Sequence, residues 1–300
     1  ISISAAVAPV EWKGKKLNLV DVPGYFDFIG EMMGPLRVCE GALIVVGSVS
    51  GLTVGAEKAW DNSTKYGVSK CFTINQMDRE HANFQKTLTQ LRDKFGTEVV
   101  PVLLPIGEGL SCKGVVNVLE NKAYEAAGKA CKEVPVPAGM QDEIRVAREE
   151  IMEAVAGTDE ELMEKFFGEG ELSDEEILKG LRIGLQDGSI VPVGCCAGLG
   201  GLGVAPLMDI LAAYMPSPAG REAKGVNPKN DQAETRTCAE NQPFSAMVFK
   251  TIVDKFVGKM SLFKVLSGTL TAATPLYNAN QDRPEKAGNI FVLRGKEQIG

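Results

Sequence analysis

The chain has 300 residues, 44% of them hydrophobic and 24% charged, with a formal net charge of −7. That length exceeds one small core and predicts two or three domains of ordinary soluble composition. The acidic balance argues against gripping nucleic acid by bulk electrostatics, since counterion release needs clustered Lys and Arg, so no DNA partner is expected.

No run of about eighteen apolar residues offers a membrane span. The start, Ile1-Ser2-Ile3-Ser4-Ala5, lacks the basic-then-apolar order of a secretory signal. A cytoplasmic location without a membrane partner is the expectation. The seven cysteines show no Cys-x-x-Cys spacing, which predicts reduced, mostly buried thiols rather than a disulfide or metal framework. His81 is the single histidine, and without a second one it is not expected to ligate or catalyse.

In chain order, Ile3 to Trp12 and Leu17 to Val20 predict a hairpin around Lys13-Gly14-Lys15. Ala42 to Val46 has the continuous apolar character of a buried parallel strand. Thr53 to Tyr66 reads as a helix, and Lys70 to Ile74 as a second buried strand ending at Asn75. Strand, helix, strand in this rhythm predicts an α/β layer. Glu80 to Phe95 is helical, with Phe84, Leu88, Leu91 and Phe95 at three- and four-residue spacing. Val99 to Pro105 and Gly114 to Leu119 read as strands. A charged helical region runs from Met140 to Leu185, and Ser173-Asp174-Glu175-Glu176 within it has the make-up of a helix start. Val191 to Gly194 is strand-like, and Ala205 to Tyr214 is a helix stopped by Pro216 and Pro218. Residues 217–242, rich in Pro, Gly, Asn and charge, read as a linker. Phe244 to Phe249, Leu262 to Leu266 and Ile290 to Leu293 are short β runs of an antiparallel barrel.

Two strand ends carry chemistry. Asp21-Val22-Pro23-Gly24 follows Leu17 to Val20, and in an open parallel sheet ligands bind beyond the strands' carboxyl ends. An aspartate there can hold Mg²⁺ through water, and Gly24 lets a backbone N–H approach a terminal phosphate. Alone, Asp-x-x-Gly also marks many ordinary turns. Asn75-Gln76-Met77-Asp78 follows the strand ending at Ile74. A carboxylate here could accept the N1 and 2-amino protons of guanine, whereas adenine would leave it unpaired. Asn-x-x-Asp alone is also common loop composition. Together, with one more strand and a helix between them, the two motifs have the order a guanine-nucleotide fold requires. The carboxylates of Asp21 and Asp78 are then expected at the same rim of one sheet.

Ile1 to Val7, Glu11 to Phe28, and Asn75-Gln76-Met77-Asp78-Arg79-Glu80 resemble the nucleotide-binding domain of elongation factor G. Val191 to Leu211, with Cys195-Cys196-Ala197, resembles its guanine-carbonyl loop. Val248 to Thr251 and Asp254 to Lys259 resemble the start of its second domain. The resemblance runs along essentially the whole chain. It implies an α/β, P-loop-type GTPase sheet, incomplete here, with an inserted α+β subdomain and then the start of an antiparallel β-barrel. The implied domains are a GTP-binding domain at 1–216 with its insertion at about 97–190, a linker at 217–242 and a barrel at 243–300.

The resemblance also implies roles: Ser2 at a Mg²⁺-closing position, Asp21 as a water-mediated Mg²⁺ partner, and Gly24 as phosphate sensor within Asp21-Val22-Pro23-Gly24. Asn75 and Asp78 would read guanine within Asn75-Gln76-Met77-Asp78, and the Ala197 amide, after Cys196, would meet its O6. GTP or GDP with Mg²⁺ would be the ligands and the ribosome the partner.

Departures from the family accompany it. Tyr25 stands where the family has a water-placing histidine, and a phenol does not become a cation by taking up a proton near neutral pH. Gln76 replaces the usual lysine. Tyrosine at this place points to the divergent paralogues. No Gly-x-x-x-x-Gly-Lys-[Ser/Thr] occurs. The glycine-rich stretch Gly198 to Gly203 has no following lysine and reads as a loop. In the family the phosphate loop would precede residue 1, so the chain alone is expected to be inactive. Three readings follow: a translational GTPase, a ribosome-binding paralogue with weak GTPase activity, and a metabolic α/β enzyme, against which the barrel counts.

Overall fold

The computed structural model describes residues 1–299 except 97, 129, 228, 229, 255–257 and 296. Lys255 to Val257 of the second-domain resemblance, Thr97 at the start of the insertion, and Gly300 therefore lie outside the described residues.

Strands β1 (Ala6–Trp12) and β2 (Lys15–Asp21) form a hairpin. Its turn, Lys13-Gly14, has φ of 46° and 74°, the positive pair a two-residue hairpin loop requires. Helix α1 (Gly30–Leu36) follows a short 3₁₀ turn at Phe26–Phe28. Then come β3 (Gly41–Gly47), α2 (Val54–Lys65), β4 (Ser69–Asn75), α3 (Phe84–Phe95) and β5 (Val99–Pro101). Strands β6 (Leu103–Ile106), β7 (Gly114–Asn117), β8 (Lys122–Ala127) and β9 (Ala130–Val134) pair antiparallel in that order. Helices α4 (Gln141–Ala156), α5 (Glu160–Glu169) and α6 (Asp174–Asp187) lead to β10 (Val191–Cys195) and α7 (Val204–Tyr214).

The main sheet has the order β3-β4-β10-β5, with every neighbouring pair parallel. Its centre, β4, is buried along its length except at Asn75, since α2 and α6 pack against it. Phe72 on β4 is fully buried and stacks with Trp60 at 5.7 Å and Phe95 at 5.4 Å. That aromatic stack joins α2 and α3 to the sheet. The antiparallel sheet and α4 to α6 lie in the chain between β5 and β10.

Several boundaries differ from expectation. The single strand read over Val99 to Pro105 is two, because Val102 donates to the carbonyl of Val193 (2.9 Å) while its own carbonyl accepts from Val118 (3.1 Å). One residue thus hands the chain from the parallel sheet to the antiparallel one. The charged region from Met140 is three helices, and α5 ends at left-handed Gly170, the usual αL stop. Helix α3 starts at Phe84 rather than Glu80, capped by Asn83 Oδ1 accepting from Lys86 N (2.7 Å). The serine start is as read: Ser173 and Glu176 form a capping box.

Residues 217–242, read as a linker, contain the antiparallel pair β11 (Glu222–Val226) and β12 (Ala233–Thr237). Beyond lie three further antiparallel ladders: β13 (Ser245–Asp254) with β14 (Gly258–Ser267), β15 (Leu276–Asn278) with β16 (Arg283–Glu285), and β17 (Val292–Arg294) with β18 (Glu297–Ile299).

The chain divides into two compact units. The first comprises Ile1–Glu11, Lys16–Glu40 and Ser217–Gly300, and the second Trp12–Lys15 and Gly41–Pro216. Asp21 therefore belongs with the C-terminal strands, and among the described residues β2 pairs with β1 alone. The expected single sheet behind Asp21 and Asp78 is not found: one ends a two-stranded ladder and the other follows the four-stranded sheet. No helix among the described residues is long and apolar enough to cross a membrane.

Candidate functional site

Each unit holds one half of the sequence-predicted constellation. In the second unit, β3, β4 and β10 end along one edge, with Gly47 opposite Asn75 and Cys195 opposite Ile74. Parallel strands put their following loops at that edge, where ligands of such sheets bind.

The loop after β4 is held from three sides. Asn75 Oδ1 accepts from Gly198 N (2.9 Å), Gln76 N (2.8 Å) and the Cys196 thiol (3.6 Å). Asn75 therefore ties the two loops together. The Met77 amide donates to the Cys196 carbonyl (3.2 Å), and the Met77 side chain is fully buried. Gln76 adopts φ 64°, a left-handed conformation that costs a side-chain-bearing residue energy unless its surroundings hold it. Its carbonyl accepts from Arg79 N (3.1 Å) and from Ser48 Oγ (2.8 Å). These bonds fix the turn that carries Asp78.

Asp78 is exposed and has no hydrogen-bond or ion-pair partner among the described residues. A solvated carboxylate on a fixed turn can accept two N–H donors of a planar base. This fits the guanine-reading assignment. The Ala197 amide donates to the Leu202 carbonyl (2.9 Å) within its own loop, so a purine O6 at that amide would take the place of Leu202.

Four of the thiols, Cys71, Cys112, Cys195 and Cys196, are buried. Burial pushes Cys71 up to about 12 and Cys112 up to about 11, and raises Cys195 well above its usual range. Cys196 is raised too, chiefly by burial, with the Thr73 hydroxyl opposing. Thiols held protonated by burial are poor nucleophiles. Among the described residues no cluster of three His, Cys, Asp or Glu could hold a metal.

In the first unit, Asp21 ends β2, and Ser2 Oγ donates to its Oδ2 (3.2 Å). Two oxygen donors in contact suit a hard cation such as Mg²⁺ that keeps several waters. Val22 is half-buried and Pro23 buried, while Gly24 is exposed. A Cβ built on Gly24 would meet nothing within 4 Å, so an anion has open access to that backbone. Tyr25 is 57% exposed, and its carbonyl accepts from Phe28 N (3.1 Å) to start the 3₁₀ turn.

Three polar residues escaped the sequence reading. Ser48 lies directly beyond the apolar run of β3, a strand-end position that could have drawn notice. Glu31 carries no motif and Lys250 lies in the Val248 to Thr251 segment without a role of its own; they bond to each other, and their pairing joins positions far apart in sequence.

Residues 1–217 match the family model described as elongation factor Tu GTP binding domain, and residues 243–299 the one described as elongation factor G domain 2. A crystal structure of a protein from Thermus thermophilus is similar at 28% identity and a TM-score of 0.86, with 99% of this chain covered. The chain spans 42% of that protein's length.

Proposed function

Because the chain belongs to the elongation factor Tu GTP binding domain family, we propose that the full-length protein is an elongation factor G-like translation factor that binds and hydrolyses GTP on the ribosome. The translational GTPase make-up itself is plain from the two matched domains. The finer reading is supported chiefly by one observation: the unpartnered Asp78 carboxylate on a turn pinned by Ser48, Asn75 and Cys196.

In this reading Asp78 accepts the N1 and 2-amino protons of guanine, and Asn75 holds the neighbouring loop in place. Ser2 and Asp21 hold Mg²⁺, Asp21 through water, and the Gly24 amide donates to the terminal phosphate. Bound Mg²⁺ would neutralise charge developing on the phosphates. Tyr25, at the place of the family's histidine, offers a hydroxyl to the attacking water.

The test is competition binding on the full-length protein. GTP should bind in preference to ATP, and Asp78→Asn should reduce that preference by about tenfold to a hundredfold, the cost of a mismatched polar contact. Equal affinity of the parent for the two nucleotides would refute the assignment.

Tyr25 favours a second reading, a ribosome-binding paralogue with weak GTPase activity, because the phenol cannot supply a positive charge to the water. Ribosome-stimulated turnover of Tyr25→His against the parent decides. A parent that is already fast, with no gain in the variant, sinks this second reading.

A further inference from the structure

We propose that Lys250 and Glu31 are positioning residues for the metal side of the site: a part-buried strut that fixes the segment bearing Ser2 and so favours a triphosphate with Mg²⁺ over a diphosphate. The inference rests on the assignment of Ser2 and Asp21 given above, and deepens it.

The geometry is closed. Lys250 is 11% exposed at its side chain, and its ammonium donates to Glu31 Oε2 (2.6 Å), to the Ala5 carbonyl (2.9 Å) and to Ser4 Oγ. That uses all three of its N–H donors. The same Glu31 oxygen accepts from Ala5 N (2.7 Å) and Ser4 Oγ (3.3 Å). Both backbone groups of buried Ala5 are thus bound to the pair. Ser2, whose hydroxyl meets Asp21, lies three residues before Ala5.

Two backbone features hold the strut. A bulge in the β13–β14 register falls between Val248 and Lys250, and bulges re-aim the side chain that follows. One turn along α1 from Glu31, a Cβ on Gly34 would stand 2.2 Å from the Phe249 carbonyl oxygen. The helix carrying Glu31 therefore lies directly on the strand carrying Lys250.

An ordinary ion pair would contribute stability alone. A positioning strut makes a narrower claim: the resemblance implies that the Ser2 position closes over Mg²⁺ in the triphosphate state, so loss of the strut weakens the triphosphate more than the diphosphate. Removing one partner of a part-buried pair also leaves the other charge uncompensated, so folding is monitored separately.

The experiment measures affinity of the full-length protein for a non-hydrolysable GTP analogue and for GDP, both with Mg²⁺. Lys250→Met should weaken the analogue by about tenfold and GDP by less than about twofold, on the scale of one lost charge-assisted bond. Lys250→Arg, which keeps the charge, should recover most of the loss. Should Lys250→Met melt early, Glu31→Gln is the second variant, expected to show the same ratio change. Equal weakening of both ligands, or an unchanged ratio in the Met and Gln variants, overturns the strut while the nucleotide assignment stands. A parent with no preference for guanine over adenine overturns the assignment, and the strut's role with it.

Discussion

The two half-sites are built on opposite plans. The loops around Asn75 and Cys196 follow the buried strands β4 and β10, and the backbone amides of Ser48, Met77 and Cys196 tie them to neighbouring strand ends. The segment from Asp21 to Tyr25 leaves a two-stranded ladder, exposes Asp21, Gly24 and Tyr25, and among the described residues has one side-chain hydrogen bond, from Ser2 to Asp21. A base reader gains from rigidity because discrimination depends on fixed donors and acceptors. The proposed phosphate-sensing role requires movement between two states, which suits a lightly bonded segment whose position is set by a few contacts. The contrast is one of packing rather than of residue type.

Perturbing each region should leave the other standing. Phe72→Ala removes the centre of the aromatic stack beside the parallel sheet and should destabilise the second unit by about 3–5 kcal/mol. Both tryptophans, Trp12 and Trp60, lie in that unit, so their fluorescence during denaturation reads the loss directly. Gly34→Ala is the counterpart in the first unit. Alanine normally gains helix stability over glycine by about 1 kcal/mol, but the 2.2 Å approach to Phe249 O makes this an overpacked site costing about 1–3 kcal/mol. Amide exchange should speed in β13 while the tryptophan transition stays put.

Ser48→Ala is a smaller change in the rigid half. It removes one bond to the Gln76 carbonyl, and should weaken guanine-nucleotide binding to the full-length protein by about 0.5–1.5 kcal/mol with little change in melting. The smallest expected effect is acid sensitivity of the lightly bonded half. The Glu31 carboxyl is held below its ordinary value of 4.5, first by the hydrogen bond from Lys250 and then by the Ala5 amide. A depressed carboxyl stabilises the fold above its unfolded pKa, and that contribution fades as the pH drops from about 4.5 through the lower folded value. Lys250→Met should flatten this part of the stability–pH curve, measured by denaturant titration.

Local patterns that repeat every few residues were legible in the sequence. The apolar runs of β3, β4 and β10 announce a buried parallel sheet, and Ser173 with Glu176 announces a helix start. What could not be read depends on partners distant in the chain. Val102 looks like one more strand residue until Val193 on β10 and Val118, just beyond β7, claim its two backbone groups. Residues 217–242 look like a linker because β11 and β12 expose most of their side chains, so apolar alternation is weak there. Asp78 was legible because a motif marks it. The engagement of the Ala197 amide by Leu202 was hidden, since backbone hydrogen bonding inside a glycine-rich loop leaves no trace in residue identity.

Strand β3 borders the parallel sheet, hydrogen-bonded to β4 on one flank only among the described residues, and its Val45 is 56% exposed. Such a rim is a template on which another extended chain can add itself. At high concentration the 300-residue chain should self-associate through this flank, and Val45→Lys should suppress that without disturbing the buried Ile44 and Val46 beside it.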